Sequence, residues 1–310
     1  MNNYLPKVLW LDDEYEDEGM QQTISLAEQE GIELVPFKSL EEGLEELKAN
    51  LDHYEAVLLD AMFFEKKDDV ATTEDTLYAL KAKQEIDRLA ENKLLEIFVL
   101  TGKVGKGHDI DNSFVKVFGG QVYRKGNMED EDNLWRKLKA AVARQPSAQL
   151  RYKYQSALAA CNIIGPQADL KVFHLLKALD NNTLNSEHLN AIRKIVELLI
   201  ENMISRDIVP HQISTMNGAA YYLLGLKARS DDGNGSFQLK KGDIPAEVGK
   251  LFNSLVSTIQ VGSHAKWLDG HIQDMGTQYW TQGAVYQLLA ILEWFNFQVR
   301  ERPQVTYYTV

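Results

Sequence analysis

Five polar residues stand immediately after short apolar runs in the first half of the chain. Asp12 and Asp13 follow Lys7-Val8-Leu9-Trp10-Leu11, and Asp60 follows Ala56-Val57-Leu58-Leu59. Thr101 follows Ile97-Phe98-Val99-Leu100, and Lys125 follows Gln121-Val122-Tyr123-Arg124. Three carboxylates brought together repel one another unless a cation neutralises them. A hard divalent ion with oxygen ligands does this, and Mg²⁺ is the usual choice beside phosphate. With such an ion offsetting the charge of a transferring phosphoryl group, a carboxylate can serve as the nucleophile. A lysine can balance the remaining charge, and a threonine hydroxyl can donate a hydrogen bond to a phosphoryl oxygen. The chemistry within reach of these five side chains is phosphoryl transfer to a carboxylate.

The elements that must gather them are legible. Continuous apolar runs of four or five residues read as strands buried on both faces, as in a parallel sheet. Ile32-Glu33-Leu34-Val35 is a fifth, weaker one. Amphipathic stretches alternate with them, at 16–30, at 39–49, at 73–90 and at 130–143. Ser39 followed by Glu42 forms a capping box at the start of the second. This alternation predicts a doubly wound α/β domain with five parallel strands. In open α/β sheets ligands bind outside the carboxyl ends of the strands, which is where all five polar residues fall.

Four blocks, Leu9-Trp10-Leu11-Asp12-Asp13, Leu58-Leu59-Asp60-Ala61-Met62, Leu100-Thr101-Gly102-Lys103 and Tyr123-Arg124-Lys125, resemble in order and spacing the signature blocks of response-regulator receiver domains. The resemblance covers residues 5–143 and implies a flavodoxin-like (βα)5 fold. It implies that Asp60 is the phosphorylated residue. Asp13, Asp60 and the Met62 carbonyl would bind Mg²⁺ directly, Asp12 would act through water, and Thr101 and Lys125 would contact the phosphoryl oxygens. It further implies a sensor histidine kinase or a small phosphodonor as the phosphoryl source, and no enzymatic activity beyond phosphoryl transfer to and from Asp60. Three features depart from the family pattern. The interval from Asp60 to Thr101 is long, with a charged segment Glu65-Lys66-Lys67-Asp68-Asp69. Gly126 follows Lys125 where a cis-proline is common. Val122 stands where the switch aromatic is common, so the phosphorylation chemistry is expected to be intact and the usual Thr–aromatic relay is not.

The polar segment Arg144-Gln145-Pro146-Ser147-Ala148 suggests a boundary, giving a receiver over 1–145 and a helical effector over 146–310. The second part is expected to be an all-α bundle. Helices are predicted over 189–199, 245–259 with Pro245 at the start, and 284–299, with one or two more over 151–180 interrupted at Gly165-Pro166. Residues 229–236 read as a turn or mobile loop, and Thr306 to Val310 has strand propensity. The stretch from Asn253 to Ala265, with 189–199 and the last helix, weakly resembles HEPN-type helical bundles. Their nuclease version needs an arginine with four to six residues between it and the histidine, and Ile259, Thr258 and Ser257 occupy those places before His264. A turn histidine is therefore the expected role of His264. A metal pair of His264 with His271 would want closer spacing and more ligands. Trp267, Trp280, Trp294, Tyr279 and Tyr286 crowd the last third, as core or as a surface for a partner or for self-association.

Charge narrows the partners. The net charge of −12 is uneven: residues 1–145 carry 18 Lys and Arg against 31 Asp and Glu, and the remainder 15 against 14. Neither part offers the clustered basic surface that phosphate contacts require. A DNA-binding regulator is disfavoured, and RNA enters only with the alternative reading, a phosphorylation-gated HEPN-like RNase. No run is long and apolar enough to span a membrane, and no signal-peptide pattern opens the chain. The single cysteine, Cys161, suits a reducing cytoplasm and excludes an intrachain disulfide framework. The main expectation is a signalling protein in which phosphorylation of Asp60 controls a helical output that binds a protein or itself.

Overall fold

The computed structural model describes residues 4–67, 69, 76–90, 93, 95–102, 112–264, 279–302 and 304–309. The chain forms two compact units that divide between Tyr152 and Lys153.

The first unit is built on β1 (Lys7–Leu11), β2 (Glu33–Phe37), β3 (Tyr54–Leu59), β4 (Glu96–Thr101) and β5 (Val122–Arg124). All pair in parallel, in the order β2-β1-β3-β4-β5. Alternate residues of each strand face opposite sides, and both sides are apolar. Leu9, Leu11, Val57, Leu59 and Val99 point to one core, while Val8, Trp10, Ala56, Leu58 and Phe98 point to the other. The first core is covered by α2 (Leu40–Asn50), α3 (Thr76–Leu89) and α4 (Asn112–Val117), through Leu47, Ala82 and Phe114. The second is covered by α1 (Glu18–Gln29) and α5 (Met128–Arg144), through Ala27, Leu134 and Leu138. Every residue of β3 is buried, as expected for the central strand of a sheet covered on both faces.

The helix starts follow their capping chemistry. Ser39 Oγ accepts the Glu42 backbone N–H, 3.3 Å away, and donates to the Glu42 carboxylate. Two α-helices packed in this unit had no sequence forecast. In α4 six residues are too few for a helical period to stand out. In α6 (Pro146–Lys153) the proline read as a breaker sits at the first helical position, where its missing N–H costs nothing. Ala148 of α6 is fully buried in the α1–α5 core, so residues 146–152 belong with the first unit.

The second unit contains α7 (Gln155–Ile164), α8 (Pro166–Asp180), α9 (His188–Ser205), α10 (Met216–Leu223), α11 (Ala246–His264) and α12 (Tyr279–Glu301). The α7–α8 break comes at Gly165, whose φ of 125° few side chains tolerate. Its long helices bury apolar stripes such as Ile192, Val196 and Leu199 of α9, and α12 packs along α7 and α11. The all-α expectation is corrected by a three-stranded antiparallel sheet, β6 (Ala228–Arg229), β7 (Ser236–Leu239) and β8 (Tyr307–Thr309), in the order β6-β7-β8. Residues 230–235 form the turn between β6 and β7, held by Ser230 N–H to the Gly235 carbonyl (2.9 Å) and by Asp232, which accepts from Asn234 N–H (3.0 Å). The strands are too short to show alternation. The strand propensity of Thr306 to Val310 is realised in β8, but its pairing with β7 joins segments far apart in sequence, as Phe237 with Thr309, which local patterning could not reveal. No helix among the described residues is long and apolar enough to cross a membrane.

Candidate functional site

The parallel sheet delivers its strand ends to one edge. Asp12 is the first residue past β1 and Asp60 the first past β3, and these strands are neighbours. Backbone hydrogen bonds fix their height: Asp60 N–H to the Leu11 carbonyl (2.7 Å) and Asp12 N–H to the Phe37 carbonyl (3.1 Å). Thr101 ends β4, and the Lys125 N–H donates to its carbonyl at 2.9 Å. Asp12, Asp60 and Thr101 are buried, with Asp60 alone showing a slight opening of 7%.

Lys125 closes the constellation. Its Nζ lies 2.7 Å from Asp12 Oδ2 and 2.7 Å from Asp60 Oδ2. One ammonium thus bridges two carboxylates that come from strands 48 residues apart in sequence (Asp12 to Asp60). Charge-assisted bonds of this length are strong where water is largely excluded. Asp12 Oδ1 also accepts the Glu14 N–H at 3.0 Å, and Asp60 Oδ1 lies 3.4 Å from the Met62 N–H. Burial pushes the Asp12 carboxyl up to about 6, against the pull of Lys125 and with the Asp60 charge adding to the rise. Burial works against the Lys125 ammonium, yet Asp60 and Asp12 together hold it above the usual lysine value.

Of the residues expected at the site, Asp12, Asp60 and Lys125 are in direct contact. Thr101 joins through the backbone bond to Lys125. Asp13 is half-buried beside Asp12 at the end of β1, and Met62 is half-buried two residues past Asp60. No three His, Cys, Asp and Glu side chains among the described residues form a group that could hold a metal ion. The donor chemistry nevertheless fits a hard divalent cation. The donors are all oxygens, and one ammonium carries a single positive charge against the two carboxylates it bridges, Asp12 and Asp60. In the second unit His264 ends α11, but its side chain and His271 lie outside the described residues.

Sequence reasoning missed two sets of residues that shape this edge. The segment after Asp60 is tied to the start of α2: Leu40 N–H donates to the Phe64 carbonyl (2.9 Å) and Glu41 N–H to the Glu65 carbonyl (3.0 Å), with Phe63 fully buried. The apolar pair Phe63-Phe64 within a charged stretch was the available signal. The other set is the acidic first turn of α5, where Asp130 and Glu131 accept backbone N–H groups on either side of Lys125. Its available signal was the run of carboxylates in the helix's first turn, Glu129, Asp130 and Glu131.

No protein-family model matches the chain, and no curated protein matches it. The functional reading rests on the geometry of the site.

Proposed function

We propose that the first unit is a receiver-type phosphoacceptor and that Asp60 is the residue phosphorylated. The observation that carries this reading is the Lys125 ammonium held 2.7 Å from both Asp12 and Asp60 at the carboxyl edge of a parallel sheet. The strand order β2-β1-β3-β4-β5 supports it, since this is the doubly wound order of the flavodoxin-like class, whose ligands sit at that edge. Of the two carboxylates bound to Lys125, Asp60 is the one with an opening to solvent, and Asp12 is closed off. Asp60 is thus the more accessible of the two to a phosphodonor.

An Asp60 carboxylate oxygen attacks the phosphorus of an acyl phosphate or of a phosphohistidine. The P–O or P–N bond to the donor breaks, and the leaving group departs with its electron pair. Lys125, already bonded to Asp60, is in place to follow the negative charge onto the phosphoryl oxygens, and Thr101 stands one strand away as a hydroxyl donor. Mg²⁺ would be held by Asp12, Asp13, Asp60 and the Met62 carbonyl, and supplies charge neutralisation between carboxylates and phosphoryl group. The second unit is the output, acting on a protein partner or on a second copy. Tyr279, Trp280, Tyr286 and Phe297, exposed on α12, are among the apolar groups available to it.

The test is intact mass after incubation with Mg²⁺ and acetyl phosphate. A phosphoryl-sized increase is expected in the native chain and not in Asp60→Ala or without Mg²⁺. An adduct that persists in Asp60→Ala, or none in the native chain, overturns the reading.

A further inference from the structure

The Lys125 ammonium meets two carboxylates at once, which makes the backbone beneath it a working part. That backbone has little stiffness of its own, because Gly126 adopts φ 75°, in the left-handed region open to glycine, and no side chain lies within 4 Å of where its Cβ would be. Yet three consecutive amides are all accounted for. Arg124 N–H donates to Asp130 Oδ2 (3.1 Å), Lys125 N–H to the Thr101 carbonyl (2.9 Å) and Gly126 N–H to Glu131 Oε1 (2.7 Å). The acceptors are themselves fixed. Asp130 Oδ2 also takes Arg124 Nε at 2.5 Å, Asp130 N–H donates to the Asn127 side chain (3.1 Å), and Glu131 N–H to the Asn127 carbonyl (2.9 Å). Both carboxylates lie in the first turn of α5, where the helix's exposed N–H groups favour negative charge.

We propose that Glu131, assisted by Asp130, is the positioning residue for Lys125. Resting on the reading of Asp60 as phosphoacceptor, this assigns to the α5 first turn the task of aiming the site's only bridging cation among the described residues. Among the described residues Glu131 forms no hydrogen bond or ion pair with Asp60 or Asp12, and it acts through the Gly126 amide. Removing it frees a glycine hinge directly after Lys125. A displacement of the ammonium by about 1 Å takes one of its two 2.7 Å bonds out of hydrogen-bonding range, and a misplacement of that order costs up to about a hundredfold in rate.

The experiment compares Glu131→Ala, Glu131→Gln and Lys125→Met in the full-length chain by two readouts. The first is the rate of Asp60 phosphorylation from acetyl phosphate. Glu131→Ala is expected to slow it by about tenfold, and Glu131→Gln, which keeps an oxygen acceptor for the Gly126 N–H, to restore most of it. In a Lys125→Met background, Glu131→Ala is expected to cost nothing further, which a merely structural role would not produce. The second readout is the ¹⁵N signal of the Lys125 ammonium in lysine-labelled protein, assigned by its loss in Lys125→Met. Glu131→Ala is expected to shift or broaden it and Glu131→Gln to leave it in place. An unmoved signal in Glu131→Ala, or equal rate losses with and without Lys125, overturns the proposal. Should the native chain take no phosphoryl group, the receiver reading falls while the ammonium signal still decides the positioning role.

Discussion

Asp12 and Lys125 make the site's electrostatics testable one residue at a time. The Asp12 carboxyl stands at about 6 in the folded chain against an ordinary 3.8, with burial as the main cause. An acid whose folded value is raised stabilises the fold fully below the lower value, and that contribution is lost as pH rises through the higher one. The first unit is therefore expected to lose stability from this group between about pH 4 and pH 6. Lys125 pulls the Asp12 value down, so Lys125→Met moves it further up and extends the loss to higher pH. Leaving two carboxylates without their buried cation costs about 3–5 kcal/mol near neutral pH. Urea unfolding of Lys125→Met and the native chain should show a gap that widens from about pH 5 to pH 8. A gap of constant size would mean that the ammonium does not act on these carboxylates.

At the scale of elements, α10 and α11 approach closely at Gly249. A Cβ added at Gly249 would stand 2.2 Å from the Leu223 carbonyl oxygen and 2.7 Å from its carbon. Both atoms belong to a helical backbone, so neither can swing aside. Gly249→Ala is expected to force the two helices apart and destabilise the second unit by about 3 kcal/mol, read as a lowered urea midpoint. Gly43 offers the contrast, since its Cβ would meet the Leu11 Cδ2 atom at 2.5 Å, the far end of a side chain that can turn. Neither constraint was legible in the sequence, where both glycines interrupt good helical patterns without an evident reason. The caps were legible. Ser39 with Glu42, Pro166 after Gly165, and Pro245 ahead of α11 mark helix starts by chemistry that acts within four residues.

For the whole molecule, each unit carries its own buried core: one on both faces of the parallel sheet, the other among the helices that contain Ile195, Phe252 and Phe295. Units with separate cores unfold as separate cooperative blocks. Calorimetry is expected to resolve two transitions, Lys125→Met lowering one and Gly249→Ala the other. Both substitutions lowering a single shared transition would show that the chain folds as one block.

The sequence by itself determined the five parallel strands, most of the helices and the placing of Asp12, Asp13, Asp60, Thr101 and Lys125 at strand ends. Those features follow from periods of two and 3.6 residues and from caps, all of which act over a few residues. Only the tertiary structure decided that one ammonium spans Asp12 and Asp60, that Pro146 opens a helix buried on the first unit, that the final residues pair with β7, and that Glu131 holds the Gly126 amide. The physical reason is that each depends on which donor or acceptor is left over once neighbouring elements have paired. Sequence spacing does not record that remainder, because the partners are brought together only by the register of the sheet and the packing of the helices upon it.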